Sequence, residues 1–194
     1  RDETDANAVY GEIAYRPIDP LTLTFGARYE EEKRFRLGAT GPLPTDFQET
    51  YREFLPKGTL NYDLTQRFTI GLTAGRGYNP GGASITLAAP FTAFSFEPEC
   101  VGIYEGFLRA GITETLSLTA NLFFNDYEGL QLPFFNNPLS IEIQNAEEAK
   151  TYGAEFELRW VPSDQNEIYI NAGLLETNVN EASDPLTDGN DLPR

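Results

Sequence analysis

The chain has 194 residues and a net charge of −16, with 14 Lys and Arg against 30 Asp and Glu, one Cys and no His. That charge argues against nucleic acid as a partner, and the missing His removes His-based triads, His-type zinc sites and His haem ligation. A single Cys, Cys100, forbids an intrachain disulfide and reads as a small buried side chain rather than a nucleophile.

No charged-then-apolar leader precedes the first strand, and no apolar run is long enough for a membrane helix. Period-two alternation begins at once. Asn7 to Arg16 is the first predicted strand, with Val9, Gly11, Ile13 and Tyr15 on one face. Two prolines and an Asp turn the chain at Pro17–Pro20. The second strand, Leu21 to Phe35, sets Leu21, Leu23, Phe25, Ala27 and Tyr29 against Thr22, Thr24, Gly26, Arg28 and Glu30. The charge run Glu30–Arg36 and the Gly- and Pro-containing stretch Leu37–Thr50 predict a polar loop. Tyr51 to Tyr62 is the third strand, Asp63–Gln66 a turn, and Arg67 to Arg76 the fourth strand. The glycines after it do not make a phosphate loop, because no GK[ST] or helix follows. Ala83–Pro98 reads as a long loop carrying Phe91, Phe94 and Phe96.

Glu99 to Gln131 reads as two long strands joined by the turn Ala110–Glu114. In the second, Leu116, Leu118, Ala120, Leu122 and Phe124 oppose Thr115, Ser117, Thr119, Asn121 and Asn125. The alternation outlasts the about 5–6 residues of a globular strand and suits the about 9–11 of a tilted membrane strand. Leu132–Lys150 is predicted as a loop with Phe134 and Phe135. Thr151–Val161 is the seventh strand, Pro162–Asn166 a turn, Glu167–Asn178 the eighth strand and Glu181–Arg194 an acidic tail. Short turns thus alternate with long connections, the layout of an outer-membrane barrel with short periplasmic turns and long outside loops. Tyr15, Tyr29, Tyr62, Phe68, Tyr127, Trp160 and Tyr169 near strand ends suit interfacial girdles. The expected fold class is therefore all-β, an antiparallel transmembrane β-barrel segment of about eight long meander strands, with residues 1–194 part of one barrel domain. The Gly-, Thr-, Ser- and Asn-rich inner faces suit a wide, plugged lumen, as in barrels of about 22 strands.

Several motifs resemble the β-barrel of TonB-dependent outer-membrane receptors. Glu99, Tyr104-Glu105-Gly106, Arg109, a short turn, then Phe123, Tyr127 and Gln131 follow the family's hairpin pattern, with Tyr-Glu-Gly-Phe where Tyr-Glu-Leu-Gly is usual. Gly26-Ala27-Arg28-Tyr29-Glu30, Gly77-Tyr78-Asn79-Pro80-Gly81-Gly82, and Gly153, Glu155 and Glu157 before Trp160 and Pro162 are similar to further family strand ends. The resemblance implies a segment lacking leader, plug and final strands. It implies a receptor in the outer membrane of a Gram-negative bacterium, energised by a TonB complex through the missing N-terminal part, that takes up a scarce ligand of siderophore, cobalamin or glycan type. Its partners would be membrane lipid, the plug of the same full-length chain and that small molecule. The alternatives are a passive porin or small structural barrel, and a soluble β-sandwich binding module.

No nucleophile–base pair or metal-ligand spacing supports an enzyme, a cofactor or a resident metal. Arg28, Glu105, Arg109, Glu155 and Glu157 are expected to face the lumen. Exposed aromatics on outside loops are costly unless packed or meeting a ligand. Phe91, Phe94, Phe134 and Phe135, with Tyr78 and the charge of Arg76, are therefore the expected ligand rim.

Overall fold

The structure is a computed structural model; it describes residues 1–40, 43–86, 93–137 and 140–180. Its strands are β1 (Asp2–Ile18), β2 (Leu21–Thr40), β3 (Leu43–Thr65), β4 (Phe68–Asn79), β5 (Gly82–Ile85), β6 (Ala93–Phe96), β7 (Glu99–Gly111), β8 (Leu116–Asn137), β9 (Ser140–Ser163) and β10 (Asn166–Asn180). Eight of them form one sheet in the order β1-β2-β3-β4-β7-β8-β9-β10. Every neighbouring pair is antiparallel. β5 and β6 pair separately, as a hairpin between β4 and β7. The expected all-β meander is therefore present, and the described sheet is open, with β1 and β10 as its edges.

Register carries the alternation across the whole sheet. One cross-strand row runs Tyr15, Leu23, Leu60, Leu72, Gly106, Leu122, Ala154 and Leu174. Directly opposed residues share a face, so the alternating apolar residues of successive strands line up on one side of the sheet. The apolar face is uncovered: Leu72 and Leu122 are each 62% exposed and Leu174 72%. Aromatic side chains edge it. Tyr15, Tyr62, Phe68 and Trp160 mark the side of the short turns, while Tyr29, Phe54, Tyr104, Phe124 and Tyr152 mark the far side. On β9, Tyr152 and Trp160 bracket about the 9–11 residues that a tilted membrane strand needs. Tyr127 and Tyr169, expected in the girdles, pair with Val101 and Arg159 on the polar face instead. One row beyond the upper aromatics the apolar face turns charged, with Arg76, Gly102, Asp126 and Lys150.

Two expected loops are not loops. Leu37–Thr50 and Leu132–Lys150 largely continue the ladders, as Leu37 pairs with Asp46 and Leu132 with Gln144. The expected loop Ala83–Pro98 contains part of β5 and all of β6. Backbone pairing goes on wherever two antiparallel strands remain adjacent, whatever their polarity, whereas polarity had set the predicted ends. The buried cluster of Leu130, Ala146, Ala149 and Val179, with Tyr127 and Leu132 packed on it, lies in this continued part. β8 bends there at Gly129, whose φ of 67° is a left-handed conformation open to glycine.

A sheet with two unpaired edges and a bare apolar face should not be soluble by itself. Residues 1–194 expressed without the rest of a barrel are expected to aggregate in buffer and to remain dispersed only in detergent. Size-exclusion chromatography and thermal melting would check this, and a soluble monomer with a cooperative melt would refute the two-faced reading.

Candidate functional site

The polar face collects the charged residues singled out in the sequence. Arg28 pairs with Tyr10 and Leu55, Glu105 with Thr73 and Phe123, and Arg109 with Thr69 and Thr119. Glu155 pairs with Asn121 and Gly173, and Glu157 with Thr119 and Asn171. All five share one face because they lie in register with its Thr and Asn residues. Arg28 donates to Glu30 at 2.7 Å, and the Arg109 guanidinium sits 5.0 Å from the centroid of Phe107. Among the described residues no ion pair joins Glu105, Glu155 or Glu157 to a cation. Glu155 and Glu157 border a hollow of about 370 Å³ with Asn121 and Asn171. Tyr10, Glu12, Arg28, Lys57 and Glu105 line a groove of about 560 Å³.

At the end away from the short turns, the β5–β6 hairpin is fastened on two sides. On one side Arg34 donates to the Gly81 carbonyl at 3.0 Å, and Arg36 donates to the Ala83 carbonyl. Arg34 and Arg36 lie on the same face of β2 as Arg28, by the period of two. On the other side Gln131 Nε2 donates to the carbonyls of Pro80 at 3.1 Å and Glu97 at 3.0 Å. Asn145 Nδ2 donates to the Glu97 carbonyl at 3.0 Å and to the Gly129 carbonyl at 2.7 Å, while its Oδ1 accepts from Glu97 N at 2.9 Å. The bonds to Pro80 and Glu97 satisfy backbone groups where the chain enters and leaves the hairpin, and the one to Gly129 satisfies a carbonyl at the bend of β8.

Glycine stands where the two sides of the hairpin close on each other and on Tyr51 of β3. A Cβ on Gly81 would lie 2.4 Å from the Phe96 carbonyl oxygen and 2.8 Å from the Tyr51 hydroxyl. One on Gly82 would lie 2.7 Å from the Phe96 ring. Tyr78 packs against Tyr51, with ring centroids 6.5 Å apart. Its buried hydroxyl has no hydrogen-bond partner among the described residues. Burial raises the Tyr78 pKa above the usual phenol value, with Glu32 and Glu53 adding to the effect, so the group stays neutral and keeps its proton to donate.

The expected ligand rim is only partly assembled. Phe94 packs on Phe96 at 6.5 Å between centroids. Phe134 lies within β8 opposite Glu142, and Phe135 is a β8 residue opposite Ile141. No ring contact joins Phe94 to Phe134 among the described residues. Phe91 lies outside the described residues. Arg76 is displaced from the rim: it sits in register with Gly102 and Asp126 beyond the upper aromatics, donates to Cys100 Sγ at 3.2 Å and pairs with Glu53 at 3.7 Å. Its guanidinium thus already has a carboxylate partner, which weakens it as the anchor for a ligand anion. The polar anchors Arg34, Arg36 and Asn145 were missed; the alternation within Glu30–Arg36 would have put both arginines on one face. Gln131 stood in the hairpin motif without a role.

The family model for the TonB dependent receptor-like β-barrel matches residues 1–194. This chain belongs to that family. Members of the TonB-dependent receptor family are transport receptors of the Gram-negative outer membrane, not enzymes. Solved TonB-dependent receptors share the fold. The ferric yersiniabactin uptake receptor FyuA from Yersinia pestis superposes with a TM-score of 0.76 at 20% identity, over 92% of this chain and 28% of that one. The ferric-catecholate import receptor Fiu from E. coli K12 gives a TM-score of 0.70 at 15% identity, over 98% and 30%. The copper transporter OprC gives 0.75 at 14% identity, over 98% and 31%. The chain therefore spans about a third or less of these receptors' lengths. The family's β-barrel sets aside the soluble sandwich.

Proposed function

We propose that this chain is part of the wall of an outer-membrane receptor that takes up a scarce small ligand by an energy-dependent route. The observation that carries this reading is the contrast between its faces. A continuous aromatic-edged apolar band suits lipid, while the opposite face holds carboxylates without cation partners on the described wall, which suits a wet lumen. Arg28, Glu105, Arg109, Glu155 and Glu157 then face that lumen. A plug from the same full-length chain would bring the cations that Glu155 and Glu157 lack, and a TonB complex would energise its movement. The ferric chelates and copper named for the structural neighbours favour a metal-bearing cargo over cobalamin or a glycan. Tyr78, Phe94, Phe134 and Phe135, with Phe91, remain the candidate rim on the outside.

The test uses the full-length receptor in cells. Glu155→Lys with Glu157→Lys is expected to abolish energised uptake of a radiolabelled ferric chelate while the barrel still reaches the outer membrane, because a wall cation would repel the plug's cations. Phe94→Ala with Phe134→Ala is expected to weaken chelate binding at the cell surface and leave membrane assembly intact. Unchanged uptake in the charge-reversed variant would overturn the plug contact, and unchanged binding in the other would place the ligand elsewhere.

A further inference from the structure

We propose that Arg34 and Arg36 form an anion subsite that the hairpin's own carbonyl oxygens fill in this conformation, so that a ligand bearing an oxyanion displaces the hairpin from that side. The inference rests on the receptor reading above and adds to it which residues bind and what their occupation releases.

Three observations meet at this place. First, Arg34 and Arg36 stand two residues apart on one face of β2, their backbones about 7 Å apart along the strand. They are partly exposed, with 33% and 42% of their side-chain surfaces open. In a chain of net charge −16, this is a local pair of cations. Each has one carboxylate in ion-pair range, Glu32 at 2.7 Å and Asp2 at 3.2 Å, with Glu49 opposite Arg34 on β3, and each also holds a neutral carbonyl, from Gly81 and from Ala83. A guanidinium has five N–H donors in a fixed fork, and an oxyanion takes two of them together where a carbonyl oxygen is a weaker neutral acceptor. The hairpin carbonyls are therefore the replaceable partners.

Second, the Tyr78 hydroxyl is buried, its ring packed on Tyr51, whose own hydroxyl lies against Gly81, and it has no hydrogen-bond partner among the described residues. Arg34 and Glu32 are both close enough to act on its ionisation. A buried donor without an acceptor costs about 1–3 kcal/mol. In the proposed subsite this hydroxyl has an acceptor, an oxyanion held at Arg34 in place of the Gly81 carbonyl.

Third, the fastenings of the hairpin are unequal in kind. Gln131 and Asn145 hold its neck through neutral amide-to-backbone bonds at Pro80 and Glu97, none of which an anion replaces. The Arg34 and Arg36 bonds are the ones an anion competes for. Displacement at the arginines leaves the neck in place, so the hairpin swings about its base and does not unfold.

The experiment uses the full-length receptor in isolated outer membranes, with Cys100→Ala and replacement of any further cysteine of the full-length chain, and Ser84→Cys reporting from β5. The readout is the rate of maleimide labelling, and the probe is inorganic pyrophosphate against sodium chloride at matched ionic strength. Pyrophosphate is expected to raise the labelling rate severalfold. Arg34→Gln with Arg36→Gln should label fast without pyrophosphate and respond to it no further, and Arg34→Lys with Arg36→Lys should respond only weakly. Gln131→Ala with Asn145→Ala serves as the release control and should label fast throughout. A labelling rate indifferent to pyrophosphate in the parent, with the release control labelling fast, overturns the proposal. Chelate uptake in the same cells separates the two readings. Labelling that responds in a protein that imports nothing keeps the subsite and removes the transport role, whereas uptake with silent labelling removes only the subsite.

Discussion

Leu118→Arg is expected to cost the full-length barrel about 2–4 kcal/mol of folding free energy in lipid if its depth is near the midplane, and less toward an interface. Leu118 opposes Ala110 on β7 and Leu158 on β9, inside the apolar band between the Leu116 and Phe124 rows. A guanidinium there must leave water or drag it into the hydrocarbon. The adjacent change, Thr119→Arg, puts the same group on the other face, between Arg109 and Glu157. There it stays hydrated, with one attractive and one repulsive neighbour, and its expected cost is below 1 kcal/mol, about that of a surface charge pair. Urea titration of both variants folded into lipid vesicles measures the difference. Equal midpoints would mean that the assignment of faces is wrong.

Gly153→Ala should be nearly as damaging, for a steric reason. A Cβ at Gly153 would lie 2.1 Å from the Leu174 carbonyl oxygen on β10 and 2.7 Å from the tip of the Phe123 ring on β8. The ring can rotate away; the carbonyl belongs to the ladder and moves only with the strand. Overpacking of this kind costs about 1–3 kcal/mol, and displacement of backbone places it toward the upper end. Gly173→Ala is the control on the neighbouring strand, since its Cβ would approach nothing closer than 3.9 Å. Heat-resistant migration of the folded barrel on gels should fall for Gly153→Ala and persist for Gly173→Ala. Adding Phe123→Ala to Gly153→Ala should restore little; full rescue would show that the ring, and not the carbonyl, sets the need for glycine.

That glycine also explains what a sequence can and cannot carry. Gly153 was legible as part of a motif with Glu155 and Glu157, yet its cause lies across two other strands, at Leu174 and Phe123. The faces were legible because period two is a local property: once Leu118 and Thr119 are assigned, the rest of β8 follows. Strand ends were not, because Leu132 and Leu37 keep pairing above the band for lack of any competing partner, and nothing in their polarity says so. The rim was harder still. Phe94 and Phe134 are far apart in sequence, and their separation is decided by where the β5–β6 hairpin lies. That in turn depends on side-chain bonds from Arg34, Gln131 and Asn145 to backbone carbonyls, which have no periodic signature.

The continued ladder of β8 and β9 has a consequence for how such a protein drifts. A strand of 24 residues, the length of β9, reaches about 79 Å along its own axis, well over twice the about 30 Å of hydrocarbon it has to cross. Only the portion between Tyr152 and Trp160 answers to lipid, where each substitution is filtered by which side it faces. Above Lys150 the same hydrogen-bonded ribbon has left the lipid, and apart from the few positions packed in the Leu130, Ala146 and Ala149 cluster it loses that filter. Related chains should thus vary in a two-beat rhythm below this boundary and without rhythm above it, so that the outermost part changes fastest while its backbone stays the same. A wall built this way can alter its outermost surface without disturbing the part that inserts.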